Sequence, residues 1–185
     1  DHVSLRYQGA GAESLSDVTF TAKKGQTIGV IGGTGSGKTT LVSLIPRFYD
    51  ATKGQVTLLG QPITAYSKAE LNRHVAVVMQ KAQLFKGTIR SNLLWGNENA
   101  TDEELWHALS YATDAALRKA LRTLPAETTL FIVSQRTSSL RHADQIIVLD
   151  DGHVVGIGKH DTLMQTCEVY REIHESQFRK GSDVQ

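Results

Sequence analysis

A chain of 185 residues with 40% hydrophobic content can bury one substantial core, and its length suits a single domain. Twenty basic against nineteen acidic side chains leave a formal net charge of +1, which offers no general attraction to nucleic acid or anionic lipid. The lone Cys167 and the seven scattered histidines exclude a disulfide framework and a zinc-ligand spacing. No apolar run approaches the roughly 18 residues needed to cross a bilayer, and no secretory signal pattern opens the chain. A reducing, cytosolic setting is the expectation.

Residues Val3 to Tyr7 and Val18 to Ala22 alternate apolar and polar side chains, as half-exposed strands do, with the small-residue stretch Gly9 to Ala12 as a loop between them. An antiparallel β layer is expected here. Thr27 to Ile31 is a strand-like apolar run. Gly32, Gly33, Thr34, Gly35, Ser36, Gly37, Lys38 and Thr39 follow it with the spacing Gly-x-x-x-x-Gly-Lys-Thr, ahead of a helix-like run carrying Leu41, Val42, Leu44 and Ile45. In that context the pattern is a phosphate-binding loop. Its glycines let the backbone fold into a nest of N–H groups around a di- or triphosphate, and the following helix adds its positive end. Lys38 is expected to reach the β- and γ-phosphates, and the Thr39 hydroxyl to bind Mg²⁺.

Pro46 lacks an N–H and disfavours continuation of the helix. Gly54 to Leu59 reads as another strand. Ser67 with Glu70, and Thr101 with Glu104, have the capping-box spacing and predict two helix starts. Val75 to Met79 and Leu130 to Val133 are continuous apolar runs, the pattern of strands buried on both faces of a parallel sheet. Ile146 to Asp150, then Asp151-Gly152 with Val154 and Ile157 beyond, predicts a hairpin; Asp150 is read as turn chemistry and not as a magnesium ligand. Cys167, Val169, Tyr170, Ile173 and Phe178 allow a terminal amphipathic helix in which the cysteine packs.

Which phosphate-loop protein this is depends on the surrounding segments. Val77-Val78-Met79-Gln80, followed by Leu84-Phe85-x-Gly87-Thr88-Ile89-Arg90-x-Asn92-Leu93, resembles the glutamine loop of ATP-binding-cassette (ABC) exporters. Leu41 to Tyr49 and Gly54 to Gly60 are similar to that family's helix and hairpin after the phosphate loop. Ala143 to Leu149 with Gly152 and Gly158-Lys159-His160 resembles the stretch after its switch histidine. The resemblance covers nearly the whole chain, with the motifs in the family's order. It implies an α/β fold over residues 1–185: a P-loop NTPase core, an antiparallel β subdomain and a helical subdomain that is incomplete here.

The resemblance also implies roles. ATP and Mg²⁺ would be held by Gly32 to Thr39, and Thr40 would add a phosphate hydrogen bond. Tyr7, in a stretch like the family's aromatic loop, would stack on adenine, where a flat π face gains area at little entropic cost. Gln80 would approach Mg²⁺ and the attacking water through a neutral amide oxygen. The implied partners are a second ABC nucleotide-binding domain and the transporter's transmembrane domains, with no nucleic acid. The implied location is the cytoplasmic face of a plasma membrane, bacterial, reached through transmembrane segments outside this chain.

Two departures from the family pattern stand out. Gln135, in Phe131-Ile132-Val133-Ser134-Gln135-Arg136, occupies the switch position where the family has histidine. Glutamine can donate a hydrogen bond to a γ-phosphate but cannot become a cation or shuttle a proton near neutral pH. The pattern resembles the degenerate, slowly hydrolysing half of a heterodimeric bacterial multidrug-type exporter. Second, the Leu-Ser-Gly-Gly-Gln signature and the apolar-strand-Asp-Glu motif are missing. The text runs from Trp106–Ser110, like the start of the helical lobe, straight to Tyr111–Asp114, like the stretch after the D-loop, with a helix expected from near Asp114. A domain's net stability of about 5–15 kcal/mol would not survive loss of a central strand. A segment is therefore expected to be omitted near residues 110–111, with an engineered deletion as the other reading. An alternative function is a non-hydrolytic, ATP-dependent dimerisation module that licenses a partner ATPase. A small-molecule kinase is a third reading, and nothing between Gln80 and Ser110 resembles the acceptor lid it would need.

Overall fold

The computed structural model describes residues 1–78, 85–110 and 124–179. They divide into two units, one of Asp1–Val77 with Glu127–Gln185, the other of Val78–Ala126. The expectations placed on Met79, on Gln80, on Tyr111 and on a helix near Asp114 lie outside the described residues.

The larger unit is built on one mixed sheet. Its strands are β3 (Thr27–Gly32), β6 (Leu130–Val133), β7 (Gln145–Asp150) and β8 (His153–Gly158), in the order β6-β3-β7-β8. β3 is parallel to both neighbours, with Val30 opposite Val133 on one side and Ile147 on the other. A strand covered on both faces can afford no alternation. Ile28, Val30 and Ile31 are all buried, and Gly29 is small because a Cβ there would lie 3.1 Å from the Leu140 side chain. β7 and β8 form the expected hairpin, with Asp150 opposite His153. The two turn residues, Asp151 and Gly152, have φ of 42° and 78°, as a type I′ turn requires. β8 alternates exposed and half-buried residues, as an antiparallel edge strand with one wet face does.

Two apolar clusters cover the sheet. On one face Ile28, Val30, Ile147 and Leu149 pack with Leu41 and Leu44 of helix α1 (Lys38–Leu44) and with Val3, Leu5, Leu15 and Val18. These last four come from β1 (Val3–Leu5) and β2 (Leu15–Val18), the antiparallel layer anticipated above. On the other face Ile31, Ile146 and Val148 pack with Leu140, Leu163, Cys167 and Tyr170. Leu163 belongs to α5 (His160–Thr166) and Tyr170 to α6 (Glu168–Arg179), and Cys167 between them is packing, as expected. The short hairpin β4 (Thr57–Leu58) and β5 (Gln61–Pro62) and helix α2 (Lys68–His74) complete this unit. Ser67 caps α2 with both reciprocal bonds of a capping box.

The smaller unit holds α3 (Ile89–Leu93) and α4 (Asp102–Ser110). Thr88 caps α3, and the Asn92 side chain ties the start of the segment down, accepting from the Phe85 N–H at 2.6 Å and donating to the Phe85 carbonyl at 3.0 Å. The rings of Phe85 and Trp95 stack at 4.4 Å. Thr101 and Glu104 form the second capping box.

Several expectations need correction. The second strand is Leu15–Val18 and not Val18–Ala22, because β1 pairs Leu5 with Leu15 and Val3 with Val18, and Phe20 and Ala22 then lean on the core from outside the ladder. All three β1 residues are buried, so β1 is not half-exposed. The strand expected over Gly54–Leu59 shrinks to Thr57–Leu58. Val75 to Val78 is not a strand, and Val77 and Val78 are 45% and 68% exposed. β6 is a parallel strand as expected, yet its residues are half-buried or exposed, because among the described residues it pairs with β3 alone. An apolar run becomes a buried strand only when a neighbouring strand supplies the other half of its hydrogen bonds and its cover.

Candidate functional site

The phosphate loop spans the turn from β3 into α1, at the carboxyl end of the parallel strands where open α/β sheets bind ligands. Two glycines there are demanded by geometry. A Cβ on Gly32 would lie 2.2 Å from the Leu149 carbonyl oxygen, so the loop can leave the sheet this closely only without a side chain. Gly37, at the N-cap of α1, has φ of 94° and would press a Cβ to 2.8 Å from the Ser14 carbonyl. It offers no side chain to cap the helix.

Lys38 is 9% exposed and turns its ammonium back into the loop. Nζ donates to the Gly32 carbonyl at 3.0 Å, to Ser36 Oγ at 3.2 Å and to the Gly33 carbonyl. Burial pushes the lysine below its ordinary pKa, so an anion beside it would offset the desolvation of the charge. Gly33 and Gly35 have open space where side chains would stand. A cleft of about 400 Å³ borders this loop, lined by Gly35, Gly37, Lys38, Thr39 and Thr40 together with Glu13 and Asp151. A buried cation held among neutral oxygens, facing an open cleft, fits a phosphate tail. The exposed Thr39 hydroxyl on the same cleft fits a Mg²⁺ ligand.

Thr40 is buried, and its Oγ1 lies 3.0 Å from the Tyr7 hydroxyl. Tyr7 also meets Tyr49 edge to face, with ring centroids 5.0 Å apart. Both tyrosines line a recess of about 370 Å³ with Leu5, Arg6, Gln8 and Asp50. The structure thus brings Tyr7 and the phosphate loop together, connected through one hydrogen bond.

Gln135 lies two residues beyond the carboxyl end of β6, and the Ser134 N–H donates to the Val30 carbonyl of β3 at 3.1 Å. The loop carrying Gln135 therefore leaves the sheet beside the strand that feeds the phosphate loop. Gln135 is exposed. Gln80 is outside the described residues.

Sequence reasoning missed the acidic wall of the cleft. Glu13 is held by Lys53 at 2.9 Å and Ser16 at 3.0 Å, and the Lys53 and Ser16 hydrogen bonds lower its pKa. Asp151 arrives from the β7–β8 turn, whose Gly152 N–H donates to the Ser36 carbonyl at 3.3 Å. No short-range pattern links a hairpin turn to a loop more than 100 residues earlier. Among the described residues, no group of three or more His, Cys, Asp or Glu could hold a metal ion by itself, and no helix is long and apolar enough to cross a membrane.

A sheet whose inner strand, parallel to both neighbours, runs through a Gly-x-x-x-x-Gly-Lys-Thr loop into a helix, with the lysine folded into that loop, defines a phosphate-loop nucleotide-binding domain. The ABC transporter family model matches residues 15–146, more than half of the chain. An uncharacterized ABC transporter ATP-binding protein of Mycobacterium tuberculosis is 32% identical over 232 residues, covering 94% of this chain and 40% of that protein. The probable multidrug resistance ABC transporter ATP-binding/permease protein YheH of Bacillus subtilis is 33% identical, covering 95% and 34%. An ATP-dependent lipid A-core flippase of Xanthomonas oryzae pv. oryzae is 30% identical, covering 96% and 40%. Among solved structures, a bacterial Atm1-family ABC exporter with ATP bound superposes with a TM-score of 0.84 at 21% identity, over 99% of this chain and 42% of that one, a likeness of fold. The chain belongs to the ABC transporter family. It spans about a third to two fifths of the length of the curated relatives it matches.

Proposed function

We propose that this chain is the ATP-binding domain of an ABC exporter, and that the site built on Lys38 holds Mg·ATP and cleaves it slowly. The observation that carries this reading is Gln135, an amide at the end of β6 where the family resemblance calls for an ionisable histidine. Lys38 grips the β- and γ-phosphates, the loop amides cradle them, and Tyr7 stacks on adenine. Gln135 donates a hydrogen bond to the terminal phosphate but cannot take or return a proton near pH 7. Thr39 and Gln80 would hold Mg²⁺, which would supply positive charge beside the transferring phosphoryl group.

Two such domains, this one and a different partner chain, close over two nucleotides, and closure passes to transmembrane domains through the segment around Gln80. That assembly sits at the cytoplasmic face of a bacterial membrane. Relatives named for multidrug resistance and lipid A-core flipping support export as the direction.

A segment carrying the signature and the acidic strand is absent from this sequence near residues 110–111. Three observations support this. Ninety-four per cent of 185 residues is about 174, so about 58 of the 232 aligned positions of the Mycobacterium tuberculosis relative have no counterpart here. In the apolar run Val75–Val78, residues 76–78 are exposed, and among the described residues the run pairs with no strand. β6 is half-exposed at the sheet edge. The second reading is a domain that binds ATP to drive dimerisation without ever cleaving it.

Rapid-quench hydrolysis, measured at each site of the assembled pair with the other site blocked, tests both. The slow-site reading expects turnover at Lys38 to trail the partner site by about a hundredfold, the size of a lost acid–base contribution, and Gln135→His to close much of that gap. Equal rates at the two sites overturn it. Complete inactivity, unchanged by Gln135→His, replaces it with the dimerisation module.

A further inference from the structure

The Gln135 backbone is gripped from outside the sheet by a side chain of the terminal helix. Gln177, on α6, donates from Nε2 to the Gln135 carbonyl at 2.8 Å, while its Oε1 accepts from the Thr137 N–H at 3.1 Å. One carboxamide therefore closes on the chain at two points, two residues apart, as the backbone of a neighbouring strand would. Its orientation is forced by chemistry, because a carbonyl needs a donor and an N–H needs an acceptor. A second contact fixes the same place: Thr137, 1% exposed, brings Oγ1 within 2.8 Å of His174 Nδ1 and 3.2 Å of Gln177 Oε1. His174 and Gln177 are three residues apart on one helix face. The threonine is fully satisfied when its proton goes to Gln177 Oε1 and His174 donates.

On the other side, the Ser134 N–H is bound to β3, and the Arg136 N–H is taken by Ser134 Oγ at 3.0 Å. The backbone from Ser134 to Thr137 is thus pinned at every residue, whereas the Gln135 side chain is exposed. A residue held this way has its backbone entropy already removed before any ligand arrives. α6 lies far along the chain from the phosphate loop, and nothing about its own packing requires Gln177, since Tyr170 already buries its apolar face.

We infer that Gln177 is a positioning residue for Gln135, and that this clamp lets the site distinguish a nucleoside triphosphate from a diphosphate. The inference rests on the reading of Gln135 as the group that meets the terminal phosphate. A nucleoside diphosphate is held by the phosphate loop and Tyr7 without the Gln135 amide, so its affinity is blind to the clamp. A triphosphate also needs the Gln135 amide, so loosening the clamp charges the cost of ordering that loop to triphosphate binding only.

The test uses the full-length protein assembled with its partner, the partner's site being disabled. Mg·ATP and Mg·ADP affinities are measured by displacement of a fluorescent nucleotide for wild type, Gln135→Ala, Gln177→Ala and Gln177→Glu, with melting temperature alongside. The expected result is a loss of about three- to tenfold in Mg·ATP affinity for Gln177→Ala, the size of one net hydrogen bond. Mg·ADP affinity stays within about twofold. Gln177→Glu keeps the acceptor for Thr137 but turns a carboxylate oxygen toward the Gln135 carbonyl, and so loses at least as much. If Gln135→Ala weakens Mg·ATP selectively while both Gln177 variants leave it unchanged, or weaken ATP and ADP alike, the positioning role is overturned and the reading of Gln135 stands. If Gln135→Ala itself spares Mg·ATP, that reading falls and the clamp's role falls with it.

Discussion

The close backbone approach at Gly32 gives a sharp test of the phosphate loop's architecture. An alanine at position 32 would put its Cβ 2.2 Å from the Leu149 carbonyl oxygen and 2.5 Å from Ser36 Oγ. Carbon–oxygen contacts between strands sit near ~3.3 Å, so about 1 Å must open between β3 and β7 where Gly32 pairs with Leu149. The serine can rotate, but the carbonyl belongs to a buried strand and cannot. Overpacking of this kind costs about 1–3 kcal/mol, and displacing Gly32 also weakens the Lys38 hydrogen bond to its carbonyl, worth about 1 kcal/mol. The total is about 2–4 kcal/mol, or a fall of about 4–16 °C in Tm for a unit of this size. Gly33→Ala is the control, because open space surrounds the position and its φ is not positive; Tm should move by less than about 2 °C. Thermal unfolding of the purified protein, followed by intrinsic fluorescence, measures both. The reasoning fails if the two substitutions are equally tolerated or equally damaging.

Three further outcomes are expected. Ser67→Ala removes the side-chain half of the α2 capping box, the Oγ that accepts from the Glu70 N–H, and should cost about 1 kcal/mol in denaturant titration, with Lys68→Ala as a neutral comparison. Burial, and then the neighbouring His174, hold His160 below its ordinary pKa, against the pull of Asp161. As pH falls through about 6.5, the unfolded chain takes up this proton before the folded one does. Stability from this group is therefore full above that range and declines below it, and His160→Gln should flatten the Tm–pH curve between about pH 7.5 and 5.5; an unchanged slope would count against it. Cys167, 4% exposed beside Gly156, should resist an aromatic disulfide reagent in the folded protein and react fully once denaturant is added, whereas rapid labelling of native protein would contradict its place in the core.

The features that sequence alone determined are those whose cause lies within a few residues. The phosphate loop, the two capping boxes, the end of α1 before Pro46 and the type I′ turn at Asp151-Gly152 each depend on local φ, a side chain reaching its own backbone, or a missing N–H, so their residues announce them. The run of motifs in order was also legible, and it led to the family. What the tertiary structure decided depends on partners distant in sequence. Leu15–Val18 became the second strand because Leu5 and Val3 chose its register. Two equally apolar runs diverged because Leu130–Val133 found β3 to pair with and Val75–Val78 did not. The acidic wall of Glu13 and Asp151, and the grip of Gln177 on the Gln135 backbone, join segments whose separation along the chain leaves no periodic trace. Hydrophobic pattern states what a segment can bury, and only the folded neighbourhood supplies the hydrogen bonds and the cover that make it do so.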